Sequence, residues 1–270
     1  MNQRYIGAAI LAPLLIFIFL GGYFLKVTVS LLALAGIYEF YKASKSGGHK
    51  PIEIVGYILT ATYYIYIIFV DRNINLPLIV NIFVLVTFLL MIVPVIDTNR
   101  SFVDVGLTIL PIIYVAVFFS FMIYLSEGTY GKYFVWLIFI SSWGCDTAAY
   151  YSGRYLGKGG KHKLIPKVSP NKTVEGAIGG LIGSIIGCTI FGYVISKYGV
   201  VIPIYHYAFI GFFGGIFGQC GDLVASSIKR HVGIKDYSNL IPGHGGILDR
   251  FDSILLVSVV VYYYITYILF

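Results

Sequence analysis

Apolar stretches about as long as a bilayer is thick follow one another along almost the whole chain. About 20 apolar residues wound as an α-helix cross the hydrocarbon core of a membrane. About nine stretches qualify, at approximately 6–25, 27–43, 52–70, 74–96, 102–125, 133–152, 174–196, 202–228 and 248–270. Because 58% of the residues are hydrophobic and only 11% are charged, a soluble fold would lack polar surface. The sequence therefore predicts an all-α polytopic integral membrane protein with about nine transmembrane helices.

Two of these stretches are weaker candidates than the others. The first follows Arg4 and could imitate a signal peptide, but it is long for a signal core and no small-residue cleavage site follows it. We interpret it as a retained membrane anchor. The second is the shortest stretch, and its end carries the polar residues Glu39, Tyr41 and Lys42. It is the least certain span of the nine.

The basic residues are distributed unevenly between alternate connections. If the amino terminus and every second connection lie on one side, that side collects most of the 19 Lys and Arg residues. The other side holds only Lys26, Arg72, Lys132 and Lys197. The positive-inside rule makes the richer side cytoplasmic, with the amino terminus inside and the carboxyl terminus outside. The net charge of +7 is explained by this topology, and we predict no nucleic-acid partner.

The chain divides by character near residue 130. Short connections join the earlier stretches, so residues 1–130 are predicted to form an amino-terminal transmembrane scaffold. Residues 131–270 are predicted to form a carboxy-terminal transmembrane catalytic region, with two cytoplasmic loops at about 153–173 and 229–248. The spans beside these loops are rich in glycine, which lets helices pack closely in lipid.

The first long loop is basic and rich in glycine, but it fails the phosphate-loop pattern. That pattern needs four residues between its first glycine and the Gly-Lys-Ser/Thr element, whereas Gly153 and Gly157 enclose three. Two interpretations remain open. The loop could be a flexible segment whose backbone amides and lysines surround phosphates, or a topological anchor on anionic lipid headgroups.

Helical spacing places polar side chains together at the cytoplasmic ends of the last four stretches. Asp222 precedes Lys229 by about 10 Å of helix, which puts a costly carboxylate below the headgroup boundary. Pairing with Lys229 and Arg230 is a purely structural explanation. A functional site explains better why so many polar and charged residues gather at one membrane level. The others at this level are Asp146, Tyr150, Arg154, Glu175, Ser226, Asp249 and Asp252.

Clustered acids beside clustered bases suit phosphate chemistry. Aspartate oxygens hold Mg²⁺, and Lys or Arg neutralises a transferring phosphoryl or nucleotidyl group. Gly245 and Gly246 precede the last helix, and they would let an anion approach the backbone donors at its amino terminus. His244, a lone histidine between glycines, fits a turn residue better than a metal ligand. The sequence predicts a polar, metal-containing pocket at the cytoplasmic rim of the carboxy-terminal helices.

One segment resembles a known family closely. Residues 226 to 252, "SSIKRHVGIKDYSNLIPGHGGILDRFD", resemble the signature of the CDP-diacylglycerol synthase (phosphatidate cytidylyltransferase) family. The fixed positions of that signature match Ser226, Lys229, Arg230, Lys235, Asp236, Ser238, Ile241, Pro242, His244, Gly245, Gly246, Asp249, Arg250 and Asp252. "DTAAYYSGRYLGK" at 146–158 and "SPNKTVEGAIGG" at 169–180 resemble two further blocks of the family. The first 130 residues match it only in hydropathy.

The resemblance implies a reaction, a cofactor and partners. CTP and phosphatidate would give CDP-diacylglycerol and pyrophosphate, with Mg²⁺ and room for a second, monovalent cation, in a homodimer embedded in membrane lipid. The site would face the cytoplasm, and the compact length favours a bacterial cytoplasmic membrane. Predicted metal ligands are Asp222, Asp249 and Asp146, and predicted catalytic residues are Asp222, Asp249, Lys229, Arg230 and Asp252. Predicted substrate-binding residues are Ser169, Asn171, Lys172, Arg154, Ser226, Lys235, His244 and Arg250.

Two other classes of protein fit the charges alone. A secondary transporter for a phosphorylated solute also has broken, glycine-rich helices, but its site should lie near the membrane midplane. A membrane kinase acting on a lipid alcohol would share the acids and bases. The spacing of the charges does not separate CTP from ATP, and only the family resemblance does.

Overall fold

A computed structural model describes residues 13, 16–70, 76–157 and 162–270. The predicted stretch at 6–25 therefore lies partly outside the described residues. Arg4, Arg72, Lys158 and Lys161, which support the predicted topology, lie outside them as well.

Helices make up most of the described chain. They are α1 (Gly22–Ser46), α2 (Glu53–Phe69), α3 (Leu76–Ile96), α4 (Phe102–Pro111), α5 (Phe118–Ser126), α6 (Gly131–Leu156), α7 (Val174–Ser196), α8 (Ile204–His231) and α9 (Ile247–Tyr264). A π-helical segment, Ile112–Val117, joins α4 to α5, and another, Ile265–Leu269, extends α9. The predicted stretches from 27–43 onward each coincide with one of these continuous helical segments.

Within the described residues, six helical segments are long and apolar enough to cross a membrane. They are Gly22–Ser46, Pro77–Ile96, Phe102–Ser126, Val174–Ser196, Ile204–His231 and Ile247–Leu269. Only 6% of Pro77–Ile96 is buried, although its mean hydropathy is 2.9, so its apolar side chains suit a lipid environment. Helix α2 is apolar but has only 17 residues. These segments support a polytopic, helical membrane protein.

Local sequence explains several helix boundaries. Ser101 and Asp104 form a capping box at the start of α4, in which each side chain bonds the backbone of the other residue. Thr173 caps α7 by accepting a hydrogen bond from the Gly176 amide at 3.1 Å. The π-helical turn after α4 begins directly behind Pro111, which lacks the N–H that a regular helix would use.

The first long loop is partly ordered. Helix α6 continues to Leu156, beyond the predicted start of the loop. Strands β1 (Lys163–Ile165) and β2 (Ser169–Thr173) then form an antiparallel hairpin, with Lys163 opposite Thr173. A backbone ladder thus orders this part of the loop, and both interpretations of the loop stay predictions.

The helices and loops form two compact units. One contains the chain up to Ser120 together with His231–Asp249, and the other contains Phe121–Arg230 with Arg250–Phe270. In the first unit, the Tyr41 hydroxyl donates to the Thr108 carbonyl at 2.8 Å. The functional division near residue 130 stays a prediction, since packing alone does not test it.

Small residues allow the helices of the second unit to pack closely. Ser184 on α7 donates to the Gly211 carbonyl of α8 at 2.7 Å. A Cβ atom at Gly211 would lie 2.6 Å from the Ser184 carbonyl oxygen, and one at Gly180 would lie 2.9 Å from the Cys145 carbonyl oxygen. Glycine therefore allows backbones of α6, α7 and α8 to approach closely, as the sequence predicted.

Candidate active site

In the second unit, an ion pair joins the β1–β2 hairpin to helix α8. Lys172 Nζ on β2 is 2.6 Å from Asp222 Oδ2 on α8. The Ser226 hydroxyl, one turn further along α8, donates to Asp222 Oδ1 at 3.2 Å. The side chains of Lys172 and Asp222 are 24% and 32% exposed, so both remain accessible from outside the protein. Asp222 thus has the cationic partner that its position requires.

Two further carboxylates surround this ion pair. Asp146 on α6 interacts electrostatically with Asp222 and Lys172. Asp252 on α9 interacts with Asp222, Asp146 and Lys229. The described part of the second unit therefore brings together three acids and two bases, drawn from three helices and the hairpin. Like charges repel at this range, so the lysines stabilise the cluster.

A glycine makes the approach of α8 to α9 possible. A Cβ atom at Gly221 would lie 2.5 Å from the Asp252 carbonyl oxygen and 3.0 Å from the Ser253 Cα. Those neighbours are backbone atoms and cannot rotate away. Gly221 immediately precedes Asp222, so close packing at this point brings the two carboxylates into the same cluster. The Ser253 amide donates to Asp252 Oδ1 at 2.7 Å and fixes that side chain.

Most of the other predicted residues of the second unit are exposed. Arg154 is exposed, and its Nη1 donates to the Tyr150 hydroxyl at 2.9 Å, as the predicted spacing of four residues allows. Ser169 is half-buried, while Asn171, on the same strand, is exposed. Arg230 and Arg250 are exposed as well. Their predicted substrate roles stay predictions.

The acids of this cluster are the candidate ligands for the predicted Mg²⁺. Among residues 16–70, 76–157 and 162–270, no three His, Cys, Asp or Glu side chains form a compact metal-binding group. Asp146, Asp222 and Asp252 supply oxygen donors, which are the kind that Mg²⁺ takes. Lys172 already neutralises Asp222, so a cation would have to share that carboxylate with it. The donors fit Mg²⁺ by their chemistry, and its binding stays a prediction.

Another carboxylate, Asp249, organises the signature loop, which joins α8 to α9 (residues 232–246). Its Oδ2 accepts hydrogen bonds from the backbone amides of Tyr237 and Gly246, both at 2.9 Å. Gly245 has φ of +80°, a conformation that favours glycine. Asp249, a predicted metal ligand, therefore ties the loop to the first turn of α9 through one of its oxygens.

The backbone amides at the amino terminus of α9 donate hydrogen bonds to carboxylates of the protein itself. Glu39 on α1 accepts hydrogen bonds from the amides of Ile247 and Leu248 at 2.9 and 2.8 Å. Asp249 takes the preceding amide, that of Gly246. Carboxylates of the chain therefore occupy the donors that were expected to receive a substrate phosphate, and the phosphate role stays a prediction.

The remaining predicted residues of this loop have other surroundings. The His244 amide donates to the Ile241 carbonyl at 2.9 Å, and its ring nitrogen Nδ1 lies 3.4 Å from the Pro242 carbonyl oxygen. This geometry is that of a turn residue. Lys235 is exposed. A cavity of about 360 Å³ lies between α1 and the loop, lined by Lys42, Ala43, Ser46, Ile234, Asp236, Tyr237, Ser238 and Asn239.

Sequence reasoning missed Glu39. Hydropathy identifies it only as part of the polar end of the second apolar stretch. An acid within an apolar segment is costly unless it has partners, and this cost was the signal that could have identified it. Lys172 was predicted to contact substrate phosphate, whereas its partner in this structure is Asp222.

The comparisons with known proteins agree with the signature. The model of the cytidylyltransferase family matches residues 2–268. Phosphatidate cytidylyltransferase of Bacillus subtilis (strain 168) is 40% identical over 179 residues, which cover 66% of this chain and 64% of the relative. The enzyme of the same name from Staphylococcus haemolyticus is 40% identical over 172 residues, covering 63% of each protein. That from Staphylococcus aureus (strain COL) is 38% identical over 174 residues, again 63% of each. In these matches the chain spans slightly less than two thirds of the length of its curated relatives.

Proposed function

Because the chain belongs to the cytidylyltransferase family, we propose that it transfers the cytidylyl group of CTP to phosphatidate. The products are CDP-diacylglycerol, a precursor in phospholipid biosynthesis, and pyrophosphate. The names of the bacterial relatives support this choice of substrates. The observation that carries the proposal is the Lys172–Asp222 ion pair with Asp146, Asp252 and Lys229 around it.

The reaction needs no nucleophile from the protein. An oxygen of the phosphatidate phosphate attacks the α-phosphorus of CTP and forms a new P–O bond. The bond between the α-phosphorus and the bridging oxygen to the β-phosphate breaks, and pyrophosphate leaves with that electron pair. The task of the chain is to place two polyanions together and to neutralise their charge.

The cluster offers residues for both tasks. Lys172 and Lys229 supply positive charge beside the carboxylates and would neutralise phosphates. Asp222 and Asp146 would hold Mg²⁺, with Asp252 as a further oxygen donor. Mg²⁺ held there would help to neutralise the charge of the substrate phosphates. The metal role predicted for Asp249 is a separate proposal, and its Oδ2 already accepts hydrogen bonds from the Tyr237 and Gly246 amides.

We also propose the finer topology and assembly expected from the sequence. The chain would cross the membrane about nine times, with the amino terminus and the site on the cytoplasmic side, and would form a homodimer. The uneven distribution of Lys and Arg supports this orientation. The bacterial relatives support a location in the cytoplasmic membrane.

Pyrophosphate release tests the proposal. Purified protein in detergent would be supplied with dispersed phosphatidate, Mg²⁺ and either CTP or ATP, with EDTA as the metal control. We expect release with CTP that EDTA abolishes, together with a CDP-lipid product. No release with either nucleotide, from protein shown to be folded, would contradict the proposal and favour a transporter for a phosphorylated solute.

A further inference from the structure

Glu39 is a fully buried acid on the helix that sequence analysis ranked as the weakest span. Its side chain has 0% exposure. The carboxylate accepts three hydrogen bonds, from the Ser238 hydroxyl at 2.6 Å and from the amides of Ile247 and Leu248 at 2.9 and 2.8 Å. A buried carboxylate is costly unless such donors compensate it. All of these donors belong to the signature loop and to the start of α9.

The position of the carboxylate at a helix end adds to its effect. Ile247 and Leu248 are the first two residues of α9, so their amides have no partner within that helix. The partial positive charge of a helix amino terminus favours a negative group. Glu39 therefore caps α9 from 208 residues away in sequence, in the place where a residue adjacent to the helix would ordinarily act.

Gly246 shows how closely the acid approaches the loop. A Cβ atom at Gly246 would lie 2.5 Å from both Glu39 Oε1 and Glu39 Oε2. The third closest atom is the carboxyl carbon of Glu39, at 2.6 Å, so all three nearest atoms belong to this residue. The second glycine of the His-Gly-Gly element is thus required by a protein carboxylate.

We propose that Glu39 is a positioning residue for the reaction: it holds the signature loop and the first turn of α9, the helix that carries Asp249 and Asp252. This role rests on the proposed function. Glu39 contacts backbone and Ser238, so it acts through the residues that it fixes. Losing one of its oxygens should tilt or loosen the start of α9, and a small displacement of reacting groups costs rate steeply.

The first test replaces Glu39 by its isosteric amide. Glu39→Gln keeps the shape but places an NH₂ group against a backbone N–H. We expect faster hydrogen exchange at the Ile247 and Leu248 amides, by roughly 10-fold. We also expect kcat per folded protein to fall roughly 10- to 100-fold, while KM for CTP changes by less than about twofold. Glu53→Gln is the matched control, because Glu53 forms a partly exposed ion pair with Lys45 on the same unit.

The outcomes separate this proposal from the proposed function. Faster exchange and a lower kcat in Glu39→Gln alone support positioning. Unchanged exchange, or equal kinetics in both variants, overturns it. If the unaltered protein shows no CTP-dependent activity, the proposed function fails, whereas the exchange measurement still decides whether Glu39 holds α9.

A double-mutant cycle covers the case in which Glu39→Gln folds poorly. Gly246→Ala in the native background should lower activity strongly, because its methyl group meets the Glu39 carboxylate. In a Glu39→Ala background the same methyl group enters the space left by the acid, so its further effect should be smaller by about 10-fold or more. An equal effect of Gly246→Ala in both backgrounds would overturn the contact on which the proposal depends.

Discussion

Lys172 Nζ lies 2.6 Å from Asp222 Oδ2, and this ion pair joins the β-hairpin to helix α8. Each partner is only partly exposed, so water screens the pair less than it would on an open surface. The pair brings a base from a loop to an acid that sequence spacing had placed at the membrane boundary. It gives the cluster a centre around which Asp146 and Asp252 interact.

Removing the positive charge of Lys172 should lower catalytic activity. We expect Lys172→Met to lower kcat/KM about 100-fold or more, because Asp222 loses its cation and phosphate loses a neutralising charge. Lys167→Met is the control, since Lys167 is exposed in the turn of the same hairpin. Steady-state kinetics of the two purified variants would check this. Similar losses in both would mean that Lys172 has no special role.

Removing the charge of Asp222 should abolish turnover without unfolding the protein. Asp222→Asn keeps the size of the side chain and an oxygen for the Ser226 hydroxyl, which now lies 3.2 Å from Oδ1. Activity and thermal unfolding would be measured together, with Asp97→Asn as the control at a partly exposed loop acid paired with Arg100. Turnover at the native rate in folded Asp222→Asn would remove Asp222 from the catalytic residues.

Asp146 should affect the requirement for metal. If it is one of the oxygen donors for Mg²⁺, Asp146→Asn should raise the Mg²⁺ concentration for half-maximal activity about 10-fold or more. A titration of activity with Mg²⁺ at fixed CTP and phosphatidate measures this directly. An unchanged Mg²⁺ dependence with a lower maximal rate would instead place Asp146 among groups that act on substrate alone.

Gly221 should be sensitive to a single methyl group. Gly221→Ala would bring Cβ against the Asp252 carbonyl oxygen and the Ser253 Cα, so we expect the free energy of unfolding to fall by about 1–3 kcal/mol and activity to fall with it. Gly106→Ala is the control, since a Cβ there meets no atom of the described residues within 4 Å. Equal stability of the two variants would contradict the close approach of α8 to α9.

Hydropathy and helical spacing predicted the local features of this protein. Each apolar stretch from residue 27 onward coincides with a helical segment, because the backbone in lipid must satisfy its own hydrogen bonds. The convergence of Asp146, Asp222 and Asp252 followed from their positions on the parts of α6, α8 and α9 that the sequence placed at one membrane level. Such arguments depend only on the distance along one helix and on the side of the membrane.

The contacts between distant segments could not be predicted in this way. The partner of Asp222 comes from a short hairpin, whose backbone pairing the polar, glycine-rich sequence did not reveal. Glu39 caps a helix 208 residues away, and only tertiary packing brings the two together. Hydropathy and spacing also did not reveal that the α9 amides expected to receive a phosphate are bonded to Glu39 and Asp249.

The fate of each phosphate of CTP tests the central claim most directly. Purified protein would be given phosphatidate, Mg²⁺ and CTP labelled at either the α- or the γ-phosphate, and lipid would be extracted after the reaction. Cytidylyl transfer predicts that α-label enters the lipid while γ-label is released in pyrophosphate. Entry of γ-label into the lipid with α-label left in the aqueous phase would contradict the account and would identify a lipid kinase.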